Sequence, residues 1–351
     1  MKPIHIGTLF CIIASCAIPA TAQVQATLRA ANNLPPGQTA APNTPGGGVV
    51  VGSNLYTGDG AQGFRHWKPA DPANPDPVNG GTLVFDGSLS LGGGGLCLPF
   101  CQVGQVAYDG SQTVYLAAYD HQKGNGATMP GVWRVGIDAT GQPMLSALLV
   151  PNAGLAGNNP TSVALGPDGN LYVGFLKNSN VVRIVNPTLT AGDPSQVVQS
   201  VGKSPNGTQV RSMAFVGTDL YLADSQGLSV IRNAAAPACQ GGCNAVRIAD
   251  GFSGVAHVGI STDGINRLYM AVAGQIWRYT ISSGASQLVS TGGINPATGA
   301  PMNFAFVNGH SNLVQLDRLG NLWIGDDPGD GATNFTGRIW YISAGSLASL
   351  P

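Results

Sequence analysis

The chain is 351 residues long, and its 16 Lys and Arg against 17 Asp and Glu give a formal net charge of −1. Charged residues make up only 9% of the chain, which excludes the basic footprint that binding to nucleic acid or to an anionic membrane surface requires. The 51 glycines fit a sheet protein rich in turns and show no collagen period.

Residues 1–22 have the pattern of a secretory signal peptide. Lys2 gives a short positive start, residues 4–18 are mostly apolar, and Ala20-Thr21-Ala22 is a cleavage motif of small residues. The apolar stretch is too short for a transmembrane segment. We therefore expect an exported protein, periplasmic or secreted. A second interpretation places a lipoprotein box at residues 13–16, which would leave a lipidated Cys16.

Residues 23–48 precede the repetitive part of the chain. Residues 24–30 alternate weakly and are compatible with a strand. Residues 32–48 are rich in Pro and Gly without periodicity, which predicts a linker. We expect residues 49–351 to form one large domain, because a single repeat fills them.

The repeat is an aromatic residue between aliphatic neighbours, followed by Gly, Ala or Asp. It occurs six times, and neighbouring copies are 48 to 59 residues apart, the length of four short strands with their turns. This period is typical of a propeller blade and predicts an all-β, six-bladed β-propeller with four-stranded antiparallel blades. Because strand faces bury against neighbouring blades, each aromatic residue is predicted to pack there. The six aromatic residues are Tyr56, Tyr115, Tyr172, Tyr221, Tyr269 and Trp323.

Two central units show the strand pattern most clearly. Blade three is predicted to have strands at 161–165, 171–176, 181–185 and 196–201, and blade four at 210–215, 220–224, 228–232 and 245–248. The last blade lacks an evident fourth strand, and an open ring would leave an unpaired edge. We expect residues 24–30 or the tail at 346–350 to supply that strand, with the N-terminal segment favoured.

The blocks at 160–173 and 211–225 resemble the six-bladed superfamily that includes NHL-repeat proteins and the gluconolactonase-like, calcium-dependent hydrolases. For the lactonase branch, the resemblance implies a divalent cation at the channel, held by an early Glu, an Asn-Gly and a Pro-Asp-Gly-x-x-x-Asp block. Here Arg211-Ser212 stands at the Asn-Gly position, residues 254–260 lack the Asp block, and no Glu precedes the first blade. The transfer of that metal site fails, and lactonase activity is not favoured.

A Gly-[Asp/Asn]-Gly-Ala loop is predicted between the second and third strands of blades six, one and two. Blades three, four and five are predicted to have short connections there. In an antiparallel blade this loop emerges on the same face as the connection that enters the next blade, and we call this the loop-rich face. Loops on a rigid ring commonly bind ligands. We therefore predict ligand binding there by Asp59, His121, Asn125, Asn159, Arg211, Asp224, His257, His310 and Asp330.

Other interpretations of these residues remain open. Gly-Asp-Gly is also a common turn sequence. Asp326, Asp327 and Asp330 have oxygen ligands of the hardness that calcium prefers, although the EF-hand spacing is absent. His257 and His310 could instead be hydrogen-bonded residues that line the channel.

Four cysteines remain after the predicted signal peptide, in two Cys-x-x-x-Cys pairs. In an oxidising compartment these pairs predict two local disulfides, Cys97–Cys101 and Cys239–Cys243. The alternative is ligation of a soft metal such as copper, for which no further ligands lie near Cys97 and Cys101.

The expected function is that of a non-catalytic binding module for a small ligand, a glycan or a protein. The alternative is a metal-dependent hydrolase or lyase with His257, His310 and Asp330 nearest the chemistry. The sequence contains no nucleophile elbow, c-type haem motif or phosphate-binding loop.

Overall fold

A computed structural model of the chain describes residues 23–31, 45–59, 63–69, 83–89, 101–120, 130–156, 158–189, 193–207, 209–224, 226–239, 242–250, 259–306, 313–328 and 337–351. Six sheets contact one another in sequence order and return to the first, which is a closed six-bladed β-propeller. The prediction of fold class is confirmed.

Each of the first five blades is an antiparallel sheet whose strands lie in chain order, with the first strand innermost. The N-terminal strand is β1 (Ala26–Ala30). Blade one contains β2 (Pro45–Val51), β3 (Asn54–Asp59), β4 (Phe64–Pro69) and β5 (Leu83–Leu89). Blade two contains β6 (Cys101–Tyr108), β7 (Thr113–Asp120), β8 (Gly131–Ile137) and β9 (Pro143–Pro151). Blade three contains β10 (Pro160–Leu165), β11 (Leu171–Phe175), β12 (Asn180–Ile184) and β13 (Val198–Lys203).

The remaining strands complete the ring in the same order. Blade four contains β14 (Val210–Val216), β15 (Asp219–Asp224), β16 (Gly227–Ile231) and β17 (Val246–Ala249). Blade five contains β18 (Gly259–Thr262), β19 (Arg267–Val272), β20 (Gln275–Thr280) and β21 (Ala285–Ser290). A hairpin of β22 (Gly292–Ile294) and β23 (Pro301–Asn303) follows, and blade six contains β24 (Val314–Leu316), β25 (Leu322–Asp326) and β26 (Arg338–Ile342).

The N-terminal strand closes the ring. β1 pairs antiparallel with β26, with Leu28 opposite Trp340, and so supplies the fourth strand of blade six. The prediction that favoured the N-terminal segment is confirmed. The tail is instead a short helix, α1 (Ala344–Ala348), which Ser343 caps by accepting a hydrogen bond from Ser346 N at 3.1 Å.

Blade six is larger than predicted, because β1 also pairs on its other side. β22 runs parallel to β1, and β23 completes a six-stranded sheet. The hairpin covers the edge that β1 would otherwise expose, which removes a site for unwanted strand pairing.

The first blade begins at Pro45, inside the stretch predicted as a linker. Gly47 lies in β2, and a Cβ on it would be 2.1 Å from the carbonyl oxygen of Gly104 in blade two. Glycine allows this close approach of two inner strands. The prediction of a linker was therefore wrong at this position. The glycines are present because the backbone of a neighbouring blade lies close to this strand.

The repeated aromatic residues pack between blades, as predicted. All six are at most 3% exposed. Tyr172 of blade three, for example, shares a core cluster with Met213 and Leu222 of blade four, and its hydroxyl donates to the Ala234 carbonyl at 3.1 Å. The Tyr172 side chain thus joins a large apolar contact to a hydrogen-bonded polar end.

Hydroxyl side chains also connect the inner strands around the axis. Thr161 Oγ1 donates to Val210 O at 2.8 Å, and Ser212 Oγ accepts from Ile260 N at 3.0 Å. Ser261 Oγ accepts from Leu316 N at 2.9 Å. These bonds satisfy backbone groups and hold consecutive blades in step around the ring.

Candidate functional site

Strand register defines the face from which the candidate loops leave. Pro45, at the start of the inner strand of blade one, pairs with Asp59 at the end of the second strand. The same relationship joins Cys101 to Asp120 and Val210 to Asp224. The start of each of these inner strands and the end of the second strand therefore lie at one face, as expected for antiparallel neighbours.

The described candidates reach this face, and several others fall outside the described residues. Asp59 ends β3, Asp224 ends β15 and Asp326 ends β25, while Asn159 precedes β10 and Arg211 is the second residue of β14. Five candidates lie outside the described residues: His121, Asn125, His257, His310 and Asp330.

Connection lengths correct one prediction. The connection between the second and third strands of blade one spans 60–63, which is as short as 176–179 in blade three. The long connections on this face include 121–130 in blade two and 327–337 in blade six, between the second and third strands. They also include 31–44, 90–100, 250–258 and 304–313, which lead into the inner strands of blades one, two, five and six. The shared Gly-Asp-Gly sequence predicted loops of similar length. In blade one, however, the second and third strands extend further into this sequence, so the connection is shorter.

Asp326 is buried and fully engaged by its neighbours. Its Oδ1 accepts from Arg338 Nε at 2.9 Å and from Trp340 Nε1 at 2.8 Å. Its Oδ2 accepts from Ala305 N at 2.6 Å and also from Arg338 Nη2. The carboxylate thereby ties blade six to the segment that enters it, a strong charge-assisted arrangement.

This arrangement does not fit calcium at Asp326, since a cation would have to displace the Arg338 guanidinium. Asp327 is also buried, and its N–H donates to Ala305 O at 2.9 Å. Within the described parts of the chain, no three His, Cys, Asp or Glu side chains are grouped to hold a metal ion. A calcium site at this position would have to depend on Asp327 and Asp330.

Asp224 has an equivalent structural environment in blade four. Its Oδ2 accepts from Ser204 Oγ at 2.7 Å, and its Oδ1 accepts from Gly227 N at 3.0 Å and from Arg247 Nη1 at 2.9 Å. The side chain is 0% exposed. Asp224, the last residue of this copy of the repeat, therefore stabilises the turn into the third strand and binds Arg247 of the outer strand.

Asn159 and Arg211 are also buried beneath the loop-rich face. Asn159 adopts a left-handed φ of 53°, and its N–H donates to Asn152 Oδ1 at 2.9 Å. Burial lowers the pKa of Arg211, and the Tyr119 phenol of blade two partly offsets this by favouring the charged form. Arg211 belongs to blade four, so this interaction links two blades that are not neighbours.

A glutamine side chain bridges the axis itself. Gln105 Oε1 in blade two accepts from Met213 N in blade four at 2.8 Å, and Gln105 Nε2 donates to Met213 O. Sequence reasoning missed this residue, because a single polar residue in a strand carries no signal of a partner on a distant blade.

The six inner strands contain no acidic residue. The six inner strands read PGGGVVV, CQVGQVAY, PTSVAL, VRSMAFV, GIST and VQL, without one carboxylate. The full sequence contains no glutamate at all. Calcium prefers oxygen ligands with several carboxylates among them, so these inner strands do not supply a calcium site.

One predicted disulfide is present. Cys239 and Cys243 are joined, with 5.4 Å between their Cα atoms. Cys243 N donates to Val201 O at 3.1 Å, so the bridged loop of blade four lies along the outer strand of blade three. The Cys97–Cys101 prediction remains untested, because Cys97 and the Cys101 side chain lie outside the described residues.

Comparisons with known proteins identify the fold. No family model matches the chain, and no curated protein matches it. Among solved structures, regucalcin of Agrobacterium tumefaciens, a calcium-binding protein, is 14% identical over 86% of this chain and 90% of its own, with a TM-score of 0.52. The PQQ-bound aldose sugar dehydrogenase of Streptomyces coelicolor is 15% identical over 87% and 95%, also with a TM-score of 0.52.

A Bacteroides thetaiotaomicron protein of unknown function gives a TM-score of 0.55 at 13% identity, over 91% of this chain and 76% of that one. The six-bladed propeller fold that the resemblance to the NHL-repeat and gluconolactonase-like superfamily implied is confirmed. Identities this low do not transfer an activity, because propellers support many functions. No helix among the described residues has the length and apolarity to cross a membrane.

Proposed function

We propose that this chain is an exported propeller that binds a small ligand, a glycan or a protein on its loop-rich face. The observation that carries the proposal concerns the inner strands: Gln105 is engaged in a bridge between blades two and four, and none of the six inner strands contains a carboxylate. Ligand recognition then depends on the connections between strands at the loop-rich face.

The distribution of these connections supports a restricted binding sector. Five of the six long connections, 31–44, 90–100, 121–130, 304–313 and 327–337, belong to or lead into blades one, two and six, which are neighbours in the ring. The sixth, 250–258, leads into blade five. A rigid frame that carries long loops on one sector is a common arrangement for binding sites. His121, Asn125 and Asp330 belong to two of these connections.

Export is a separate part of the proposal. The signal-like residues 1–22 and the Cys239–Cys243 disulfide both support an oxidising compartment, either periplasmic or extracellular. Expression with the native leader, followed by N-terminal sequencing of the exported protein, tests this part. We expect the mature chain to begin at Gln23, whereas lipidated Cys16 would support the second interpretation.

The binding proposal is tested by screening glycans and small molecules for a shift in melting temperature, followed by loop variants. We expect His121→Ala and Asp330→Asn to abolish the shift produced by a ligand. Ile265→Ser is the matched control, because Ile265 is 81% exposed in the turn between β18 and β19, at the opposite face. The proposal would be contradicted if Ile265→Ser lost the ligand-induced shift while both loop variants kept it.

The alternative, a metal-dependent hydrolase or lyase, is tested on the same purified protein. Metal analysis of purified protein is followed by melting with calcium, copper and zinc. A bound ion that is lost in a His257→Ala/His310→Ala variant would favour the enzyme. Metal-free protein that no ion stabilises would leave the binding module as the better account.

A further inference from the structure

A buried histidine lies between blades one and two and is not used by the proposed binding face. We define the blade one–two seam as Tyr56, His66 and Asp86 of blade one, together with the turn at 138–142 of blade two. This turn joins β8 to β9 and therefore lies at the end of the blade opposite the loop-rich face.

His66 takes a position that arginine occupies in other blades. The residue opposite the repeated tyrosine on the third strand is Arg134 in blade two, Arg183 in blade three and Arg278 in blade five. In blade one it is His66, opposite Tyr56. Blade one thus has, at this position, a side chain whose charge can change between about pH 5 and pH 8.

The surroundings of His66 leave little room for a charge. The residue is 1% exposed, and its ring stacks on the Tyr56 ring with centroids 4.8 Å apart. His66 Nδ1 lies 3.2 Å from Asp86 Oδ2. Neither ring nitrogen makes a well-aligned hydrogen bond with a described residue, and the Gln142 side chain favours the protonated ring. A neutral imidazole is therefore packed beside a carboxylate without being firmly bonded to it.

The carboxylate of Asp86 already has other partners. Gln142 Nε2 of blade two donates to Asp86 Oδ2, and Lys68 on β4 pairs with Asp86 Oδ1. The hydroxyl of Tyr56 donates to Gly141 O of the same turn. Asp86 and Tyr56 therefore both connect blade one to the turn of blade two.

The charged and titratable groups that face His66 come from every element around it. They are Asp86 on β5, Lys68 on β4, Tyr56 on β3 and Asp138 in the turn of blade two. Asp86 and Asp138 favour an imidazolium, whereas Lys68 and burial oppose it. Protonation would place a cation beside Lys68 and make it compete with Gln142 for Asp86.

We propose that protonation of His66 loosens the blade one–two seam, so that the propeller responds to mild acid at this position. The hydrogen bonds that join blade one to the turn of blade two run through the Asp86 carboxylate and the Tyr56 phenol, which both contact the imidazole. A charge at His66 therefore disturbs both connections together.

The direction of the pH dependence follows from the protonation equilibrium. Burial is the largest effect and lowers the pKa of His66 below its ordinary value of 6.5. Below pH 6.5 the unfolded chain binds this proton more readily than the folded chain. The stability is fully present above that pH and is lost as the pH falls from there toward the folded-state pKa. The pKa of Asp86 is lowered, so the stability that the Asp86 carboxylate contributes is lost in a separate, more acidic range.

Amide hydrogen exchange tests the proposal on the intact mature chain. The readout is exchange at Gly141 and Gln142, after correction for the intrinsic pH dependence, from about pH 8 to about pH 5. We expect exchange to accelerate several-fold on acidification. The control seam is that of blades three and four, where Ala236 N donates to Asn233 O and Tyr172 contacts Ala234. Exchange at Ala236 should not accelerate.

His66→Phe keeps an aromatic ring against Tyr56 but cannot be protonated, so its seam should not respond to acid in this range. An equal acceleration in His66→Phe, or none in the parent protein, would overturn the proposal. If the variant fails to fold, the NMR titration of the His66 imidazole in the parent protein decides. A midpoint below 6.5 supports the proposal, and a midpoint at or above 6.5 overturns it.

Discussion

Gln105 and Met213 are 108 residues apart in the sequence, and both polar atoms of the Gln105 amide bond to the Met213 backbone. The bridge spans the ring between blades two and four, which are not neighbours. It therefore restrains the distance between these two blades.

Gln105→Ala should lower the free energy of unfolding by about 1–3 kcal/mol, because it leaves the N–H and carbonyl of Met213 without their partners in a confined space. Chemical denaturation measures the loss. Gln112→Ala, at an exposed position of the same blade, is the matched control and should change little. Equal stabilities of the two variants would show that the bridge contributes nothing.

Asp326→Asn should destabilise the protein by about 3–5 kcal/mol, because Arg338 is left buried without its carboxylate. Asp250→Asn, at a side chain that is 87% exposed, is the control. If Asp326 is only structural, any effect of calcium on the melting temperature should be the same in the parent protein and in both variants. A calcium-dependent stabilisation that disappears in Asp326→Asn would instead restore it as a metal ligand.

Leu28→Ala should cost about 2–5 kcal/mol, since Leu28 is 2% exposed and packs in the core of blade six from the N-terminal strand. The expected signature is faster amide exchange along β26, which pairs with β1. Val246→Ala is the control, because Val246 is 62% exposed on an outer strand. Unchanged exchange along β26 in Leu28→Ala would contradict closure by this strand.

Tyr56 and Tyr172 should ionise later than ordinary phenols in an alkaline titration. Burial raises the pKa of each to about 12. The folded state therefore resists ionisation, and this contribution to stability is complete below pH 10 and is lost as the pH rises toward 12. Phenolate absorbance measures this, and Tyr56→Phe and Tyr172→Phe should each remove one late-titrating group. If each variant instead lost a phenol that titrates at the ordinary pKa, the assignment of the late titrations to Tyr56 and Tyr172 would be contradicted.

Much of the frame was predictable because each blade repeats a local signal. The predicted strands of blades three and four lie within two residues of those observed, since apolar runs and Asp-Gly turns mark their ends. The ring closure followed from the missing fourth strand of blade six. These features depend on residues close together in the sequence.

The rest depends on contacts between distant blades, which leave no local pattern. Gly47 carries the composition of a linker but lies in a strand, because Gly104 approaches it from the next blade. The hairpin of β22 and β23 is too short for an apolar period, and only its pairing with β1 defines it. At the candidate site, neither the Asp326–Arg338 pair nor the partner of Gln105 could be derived from spacing.

The most direct test of the account is amide hydrogen exchange of the mature protein with and without a ligand found by the melting screen. We predict that protection increases at the ends of β7 and β25 and at the starts of β8 and β26, which border the connections at 121–130 and 327–337. Protection confined to the opposite face, in the turns at 109–112, 263–266 and 317–321, would contradict binding at the loop-rich face.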